Sequence, residues 1–268
     1  MAREVELKLD IDPACVPRLA ELPFLSEPPA RQRQVSVYFD TPKARLHRTG
    51  WAFRIRRIGD RYVQTIKRSV EAAGMFDRDE WECDVPGPEP DWRHVADTPL
   101  ATLLSERQLR GLVPVVQSDV MRSTWKVADK GATIEICLDE ARIEAGDSVE
   151  ETVELELELI EGDAQALLAK AKKICAHIPV KLGVLAKSER GFALANATRD
   201  IPVKATHVAL LDDISVAEGF TAIINACLKH FRLNEPMLIE RRDSEALHQL
   251  RVAIRRIRSA LWLFRPAV

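Results

Sequence analysis

The chain of 268 residues is 46% hydrophobic and carries 39 Lys and Arg against 41 Asp and Glu, a formal net charge of −2. That is enough for one large or two ordinary domains with a full core. The near balance of charge excludes a molecule drawn as a whole to nucleic acid or to a membrane surface, so an anion site must be local.

The first element is Glu4-Val5-Glu6-Leu7-Lys8-Leu9-Asp10-Ile11, where ionisable and aliphatic residues alternate with the period of a strand. A solvated strand carries the same pattern, so the octet alone leaves an interior and an exterior reading open. Asp12-Pro13 reads as an N-cap and first helical residue, opening a short helix to about Leu22. Pro28-Pro29 marks a loop and Val35 to Asp40 a strand. Trp51 to Ile58 and Arg61 to Arg68 flank Gly59-Asp60 as a hairpin. A strand from about Arg78 to Val85 follows, Pro86 to Pro90 is a connector, and residues 93–110 form two short helical pieces. Three strand-like runs, about 112–127, 132–144 and 150–160, precede an amphipathic helix that Asp163 caps and that runs to about His177. A short helix from near Leu185 ends at Phe192-Ala193-Leu194. From about Ser215 helical periodicity takes over, which puts a boundary near 199–212 and two units at 1–200 and 213–268. No 18-residue apolar run and no signal peptide are read, and the five cysteines lack C-x-x-C spacing, so a cytoplasmic protein with reduced thiols and neither nucleic acid nor membrane as partner is expected.

A turn at Gly59-Asp60 sets Arg54 opposite Thr65 and Arg56 opposite Val63, with Lys67 on the same face. Like charges gathered on one face favour a polyanionic partner or nearby carboxylates, while a wet outer face is the alternative. A turn at Gly146-Asp147 pairs Asp139 with Glu154, Cys137 with Glu156 and Glu135 with Glu158. Five carboxylates on one sheet face call for cations, and a hard divalent ion such as Mg²⁺ or Mn²⁺ takes oxygen ligands of this kind. Arg78, Glu80 and Glu82 form a third charged face. Acidic and basic strands together suggest a charged interior with one side for metal and the other for phosphate, and hence an enzyme.

The Glu4-Val5-Glu6-Leu7-Lys8 motif is of the form E-x-E-x-K. It is joined by Tyr38-Phe39-Asp40-Thr41, Leu46 followed by Gly50 and Arg54-Ile55-Arg56, Thr65-Ile66-Lys67 and Glu80-Trp81-Glu82. Arg122, the Glu154/Glu156/Glu158 alternation and Lys187-Ser188-Glu189-Arg190-Gly191 complete the series. Across residues 4–191 the chain thus resembles the CYTH superfamily, the triphosphate tunnel metalloenzymes. The resemblance implies an α+β fold, an antiparallel eight-stranded β-barrel tunnel with flanking helices, followed here by a short all-helical segment. It implies Glu4, Glu6, Glu154, Glu156 and Glu158 as ligands of Mg²⁺ or Mn²⁺, and catalytic roles for Glu4, Glu6, Lys8 and Asp139. Lys8, Arg54, Arg56, Lys67, Arg78, Arg122, Lys187 and Arg190 would bind phosphate. The implied reaction is metal-dependent hydrolysis of inorganic triphosphate, or another triphosphate, to pyrophosphate and phosphate. A class IV-type adenylate cyclase, a thiamine triphosphatase and a non-catalytic polyphosphate-binding scaffold stay open.

Residues Glu245 to Arg258 resemble the opening helices of the CHAD domain, a helical phosphate- and polyphosphate-binding module. Leu250, Ile254, Ile257 and Leu261 form an apolar column at helical spacing, and His248, Arg251, Arg255 and Arg258 a basic one for polyphosphate. A solvated helix face would show the same basic column. The sequence stops at Val268, short of a complete CHAD domain, so the helical pair is expected to lay its apolar surface on the barrel or on another chain. Deleting 213–268 is expected to leave hydrolysis within a few-fold. His47, His94, His177, His207 and His230 lack metal-ligand spacing and read as surface or loop residues.

Overall fold

The computed structural model describes residues 2–68, 75–129, 131–210 and 213–265, with side chains from residue 5 onward and, in the fifth strand, from residue 79. The strands are β1 (Ala2–Ile11), β2 (Ala30–Asp40), β3 (Trp51–Ile58), β4 (Arg61–Arg68), β5 (Met75–Val85), β6 (Val113–Asp129), β7 (Ala132–Ala145), β8 (Ser148–Glu161) and β9 (Val180–Leu182). They form one antiparallel sheet in the order β5-β4-β3-β2-β6-β7-β8-β1-β9, and β5 also pairs with β1. The expected count of eight is therefore nine among the described residues. Three residues are too few to show a period, which is why β9 escapes a reading of the sequence. It has a physical reason to exist, since β5 takes one edge of β1 over Ala2–Leu7 and the rest of β1 needs hydrogen-bond partners, which β9 provides over Leu9–Ile11.

Two-residue turns set the hairpins. Gly59 and Gly146 stand at φ +60° and +58°, where a side chain would be strained. The registers are those that the turns imply, with Arg54 opposite Thr65, Arg56 opposite Val63, Asp139 opposite Glu154 and Cys137 opposite Glu156.

The hydrophobic core lies on the outer face of the sheet. Leu7 and Leu9 of β1, Ile134 and Ile136 of β7 and Leu155 and Leu157 of β8 pack under Leu167 and Ile174 of a helix over Gln165–Cys175 and under the 3₁₀ turn Pro13–Glu21. Each such side chain, fully buried, contributes about 1.5–3 kcal/mol. Asp12 caps the 3₁₀ turn as expected, while Pro17 inside it removes a donor that an α-helix needs. Farther along the same outer face, Phe53, Ile55 and Ile66 are covered by Leu46, Val95, Leu100 and Leu109 of four short helices. In chain order the helices are α1 (Arg45–Arg48), α2 (Trp92–Val95), α3 (Leu100–Leu103), α4 (Glu106–Arg110), α5 (Gln165–Cys175), α6 (Lys187–Ala195), α7 (Val216–Arg241) and α8 (Ser244–Leu263). With apolar side chains turned outward under helices, period two sends the ionisable ones inward.

Helix α6 closes tightly on β6. A Cβ on Gly191 would lie 2.1 Å from Cγ1 of Val116, so the contact needs glycine. Gly191→Ala is expected to lower stability by about 1–3 kcal/mol through overpacking, and to push the start of α6 off the sheet. Thermal unfolding checks it, and an unchanged melting temperature would contradict the contact.

Helices α7 and α8 form a hairpin whose seam differs from the expected column. Ala246, Leu250, Ala253 and Ala260 are buried, whereas Ile254 and Leu261 are about half exposed. Leu250 of the expected column is buried, and the other buried apolar positions of α8 are alanines, whose small side chains permit close helix packing, while Ile254 and Leu261 stay half exposed. His230 is likewise not a surface residue, being buried in α7 with Nε2 3.0 Å from the Val203 carbonyl and 3.1 Å from Gln249 Oε1. His47 stacks on Phe192 with ring centroids 4.1 Å apart. Among the described residues no helix is long and apolar enough to cross a membrane.

Candidate active site

The inward face encloses a cavity of ≈ 190 Å³. Its walls are Glu6 and Lys8 of β1, Tyr38 of β2, Ala52, Arg54 and Arg56 of β3, Thr65 and Lys67 of β4, and Glu80 and Glu82 of β5. Arg122 of β6, Glu156 and Glu158 of β8, and Ala186, Lys187 and Ser188 at the start of α6 complete the lining.

The acidic centre is a buried trio, Asp139, Glu154 and Glu156, each offering an oxygen within 4.8 Å of the others. Three carboxylates so close need cations, and register supplies two of them, setting Lys8 opposite Glu156 and Arg122 opposite Asp139. Arg122 grips Asp139 with a fork of 2.7 and 2.6 Å and also bonds Glu156. Lys187 Nζ reaches down from α6 to 2.7 Å from Asp139 Oδ2 and 3.0 Å from Glu156 Oε1, and bonds Glu154. Lys8 bonds Glu156 and lies 3.5 Å from Glu6. Burial opposes the Glu156 charge, yet Lys187, Lys8 and Arg122 overcome it and hold the carboxyl well below its usual range. Burial also opposes charge on Lys187, which Asp139, Glu154 and Glu156 nonetheless hold well above the ordinary lysine range. As an oxygen-only donor set, the trio fits a hard divalent cation.

The opposite wall is basic. Arg56 donates from Nε to Ser36 Oγ at 3.1 Å, and burial together with the neighbouring Arg54 brings its guanidinium down to about 10. Burial would raise the Tyr38 phenol, but Arg54, Arg56 and Lys187 lower it. Lys67 Nζ lies 3.2 Å from Glu80. Burial is the larger cause of the lost guanidinium basicity, but the phenol gains acidity against burial, and that marks a positive local potential which an anion would relieve.

Of the residues expected from sequence, Glu6, Lys8, Arg54, Arg56, Lys67, Arg122, Glu156, Glu158 and Lys187 line the cavity, and Asp139 and Glu154 complete the acidic trio behind it. The side chains of Glu4 and Arg78 lie outside the described residues; backbone register alone sets the two opposite each other. Arg190 is absent from the lining and donates instead to Asp10 Oδ1 at 2.7 Å, with Glu150 at 3.5 Å. Metal and phosphate sides are not separate, because Lys8, Arg122 and Lys187 sit on the carboxylates themselves. His248, Arg251, Arg255 and Arg258 all lie on the exposed face of α8. Sequence reading put Glu80 and Glu82 on a charged face and Tyr38 in the motif series, but assigned none of the three to the site. Tyr38 stands opposite Arg54, a pairing that crosses the loop and α1 between β2 and β3 and carries no turn signal.

A family profile for the CYTH domain matches residues 2–192, and one for the CHAD domain matches residues 222–268. An inorganic triphosphatase of Haemophilus influenzae is 26% identical over 212 residues, covering 73% of this chain and 56% of its own length, so the chain spans little more than half of that relative. In fold the chain is similar to a Hippeastrum protein described as an adenylyl cyclase candidate with dominant triphosphatase activity, at a TM-score of 0.51 and 20% identity over 73% of this chain and 96% of that one. A Pyrococcus horikoshii protein aligns with a TM-score of 0.45 and 21% identity over 70% and 97% of the two chains.

Proposed function

The chain belongs to the CYTH family, and from that premise we propose that it is a metal-dependent inorganic triphosphatase releasing phosphate and pyrophosphate in the charged cavity. We read β1 to β8 as the ring of a tunnel, joined through the β1–β5 pairing, with β9 as an added strand. We divide the chain into a sheet-forming unit that carries the cavity, residues 1–200, and a helical unit, residues 213–268, acting in the cytoplasm. The observation that carries the reading is the cavity itself, with Arg54, Arg56 and Lys67 on one wall and the Asp139/Glu154/Glu156 trio across from them.

A triphosphate carries about four negative charges near neutral pH, and attack by water must overcome them. Arg54, Arg56 and Lys67 orient and neutralise the phosphate oxygens. Lys8, Arg122 and Lys187 now bond carboxylates and exchange those partners for phosphate as substrate enters. Asp139, Glu154 and Glu156 would then hold Mg²⁺ or Mn²⁺, with Glu158 next along the strand. The ion supplies charge neutralisation in the loose transition state. Glu6 on the lining accepts a hydrogen bond from the attacking water and aligns it. A volume of ≈ 190 Å³ and a single aromatic ring among the described lining residues, Tyr38, favour an inorganic chain over a nucleotide or thiamine ester. Polyphosphate binding through His248, Arg251, Arg255 and Arg258 would be weak, since one helix face offers a wall rather than a pocket.

The test is phosphate release from tripolyphosphate, ATP and thiamine triphosphate, each with EDTA and with added Mg²⁺ or Mn²⁺. Hydrolysis of tripolyphosphate that EDTA abolishes and metal restores is expected. Full turnover in chelated buffer, or cyclic AMP formed from ATP, would overturn the assignment.

A further inference from the structure

Lys187 does its work from the first residue of α6, so whatever fixes α6 fixes the ammonium. The cap of that helix is Glu189, whose Oε2 accepts from the Ala186 N–H at 2.7 Å, while its Oε1 accepts from Lys229 Nζ of α7 at 3.0 Å. One turn on from Lys187, Arg190 donates to Asp10 at 2.7 Å. The second oxygen of Asp10 lies 3.4 Å from Arg232 Nη2 of α7, and Arg232 Nε donates to the Leu182 carbonyl of β9 at 2.9 Å. Helix α7 therefore grips α6 at its cap and at its anchor strand, through side chains only 22% and 12% exposed. Lys8 lies on β1 two residues before Asp10, so both bridges converge on cationic groups of the cavity.

We infer that Lys229 and Arg232 are positioning residues of the triphosphate site, holding α6 and through it Lys187, and that α7 is part of the catalytic unit rather than a detachable tail. This rests on the triphosphatase reading and replaces the expectation that residues 213–268 are dispensable. A misplacement of about 1 Å at a reacting group costs up to about 100-fold in rate, so partial release of α6 is expected to lower kcat/KM for tripolyphosphate about ten-fold.

The experiment uses the full chain with Lys229→Gln/Arg232→Gln, in the wild-type and in the Lys187→Met background. Helix content is checked by circular dichroism, and hydrogen–deuterium exchange is followed for residues 184–196. The expected result is faster exchange in that peptide, unchanged exchange in β7, and a kinetic loss present with Lys187 but absent without it. Unchanged exchange in 184–196, or an equal kinetic loss in both backgrounds, would overturn the inference. A wild-type chain that turns over no triphosphate while the exchange response appears would overturn the hydrolase reading and uphold the bracing of α6.

Discussion

Glu156→Gln is expected to reduce tripolyphosphate turnover by about 100–1000-fold, the scale of losing a charge-stabilising group at the reacting centre, and to destabilise the fold at the same time. Glu156 is where Lys8, Lys187 and Arg122 converge. The glutamine keeps the volume and removes the charge, leaving the buried Lys8 and Lys187 and the half-buried Arg122 short of a counter-ion, which for one broken buried pair costs about 3–5 kcal/mol. The pH dependence follows from the lowered carboxyl. Its stabilisation is fully present above the usual value of 4.5 and is lost as pH falls through the lower folded-state value. Denaturant midpoints from pH 3 to 7 should therefore fall on acidification in the wild type and change less in the variant. Adding Lys187→Met to Glu156→Gln should recover part of the stability and none of the activity. Near wild-type turnover in Glu156→Gln would place the chemistry elsewhere.

The local half of this site was legible in the sequence. A two-residue turn fixes the pairs of its hairpin as far as the first bulge, which in β7–β8 comes only at Thr133/Ile134, so Gly59-Asp60 and Gly146-Asp147 were enough to gather Arg54, Arg56 and Lys67 on one face and the acids on another. One further hairpin carried the same signal unread. A turn at Gly131 pairs numbers summing to 261, which sets Arg122 on Asp139. The pairing of Lys8 with Glu156 is of another kind, because strands β2 to β7 lie between β1 and β8 in the chain and no turn links the two. Interleaving of acid and base therefore had to come from the fold, and the sequence suggested two separate walls instead. The tail misled for a packing reason. Hydrophobicity selects Leu250, Ile254 and Leu261, but of these only Leu250 is buried, and the small Ala246, Ala253 and Ala260 take the other buried apolar positions of α8. His230 was missed because a histidine whose ring nitrogen has a carbonyl and an amide to bond can be buried without metal or solvent.

Arg56→Met is expected to move stability and binding in opposite directions. Folding carries this guanidinium next to Arg54 and away from most of its water, and its pKa falls from 12.5 to about 10. For a base the sign is unfavourable: the folded state carries the full cost below pH 10, and the cost is relieved only as pH rises from 10 toward 12.5. At about 1.4 kcal/mol per pH unit the cost reaches about 3 kcal/mol, less what water entering the cavity screens. Methionine keeps the apolar stem and removes the charge, but gives up the hydrogen bond to Ser36, which is worth about 1 kcal/mol. A net gain of about 1–2 kcal/mol should raise the melting temperature of the ligand-free protein by roughly 2–8 °C. Losing one charge-assisted contact to phosphate should weaken tripolyphosphate binding by about 10–150-fold. Ligand stabilises the folded state by about 2.7 kcal/mol at 100 times its Kd, so the wild type should overtake the variant as tripolyphosphate is titrated with EDTA present to prevent turnover. The two melting curves should therefore cross. A variant that melts below the wild type without ligand would mean that Arg56 is stabilised by its neighbours rather than strained by them. One that keeps the full ligand-induced shift would mean that the anion sits elsewhere.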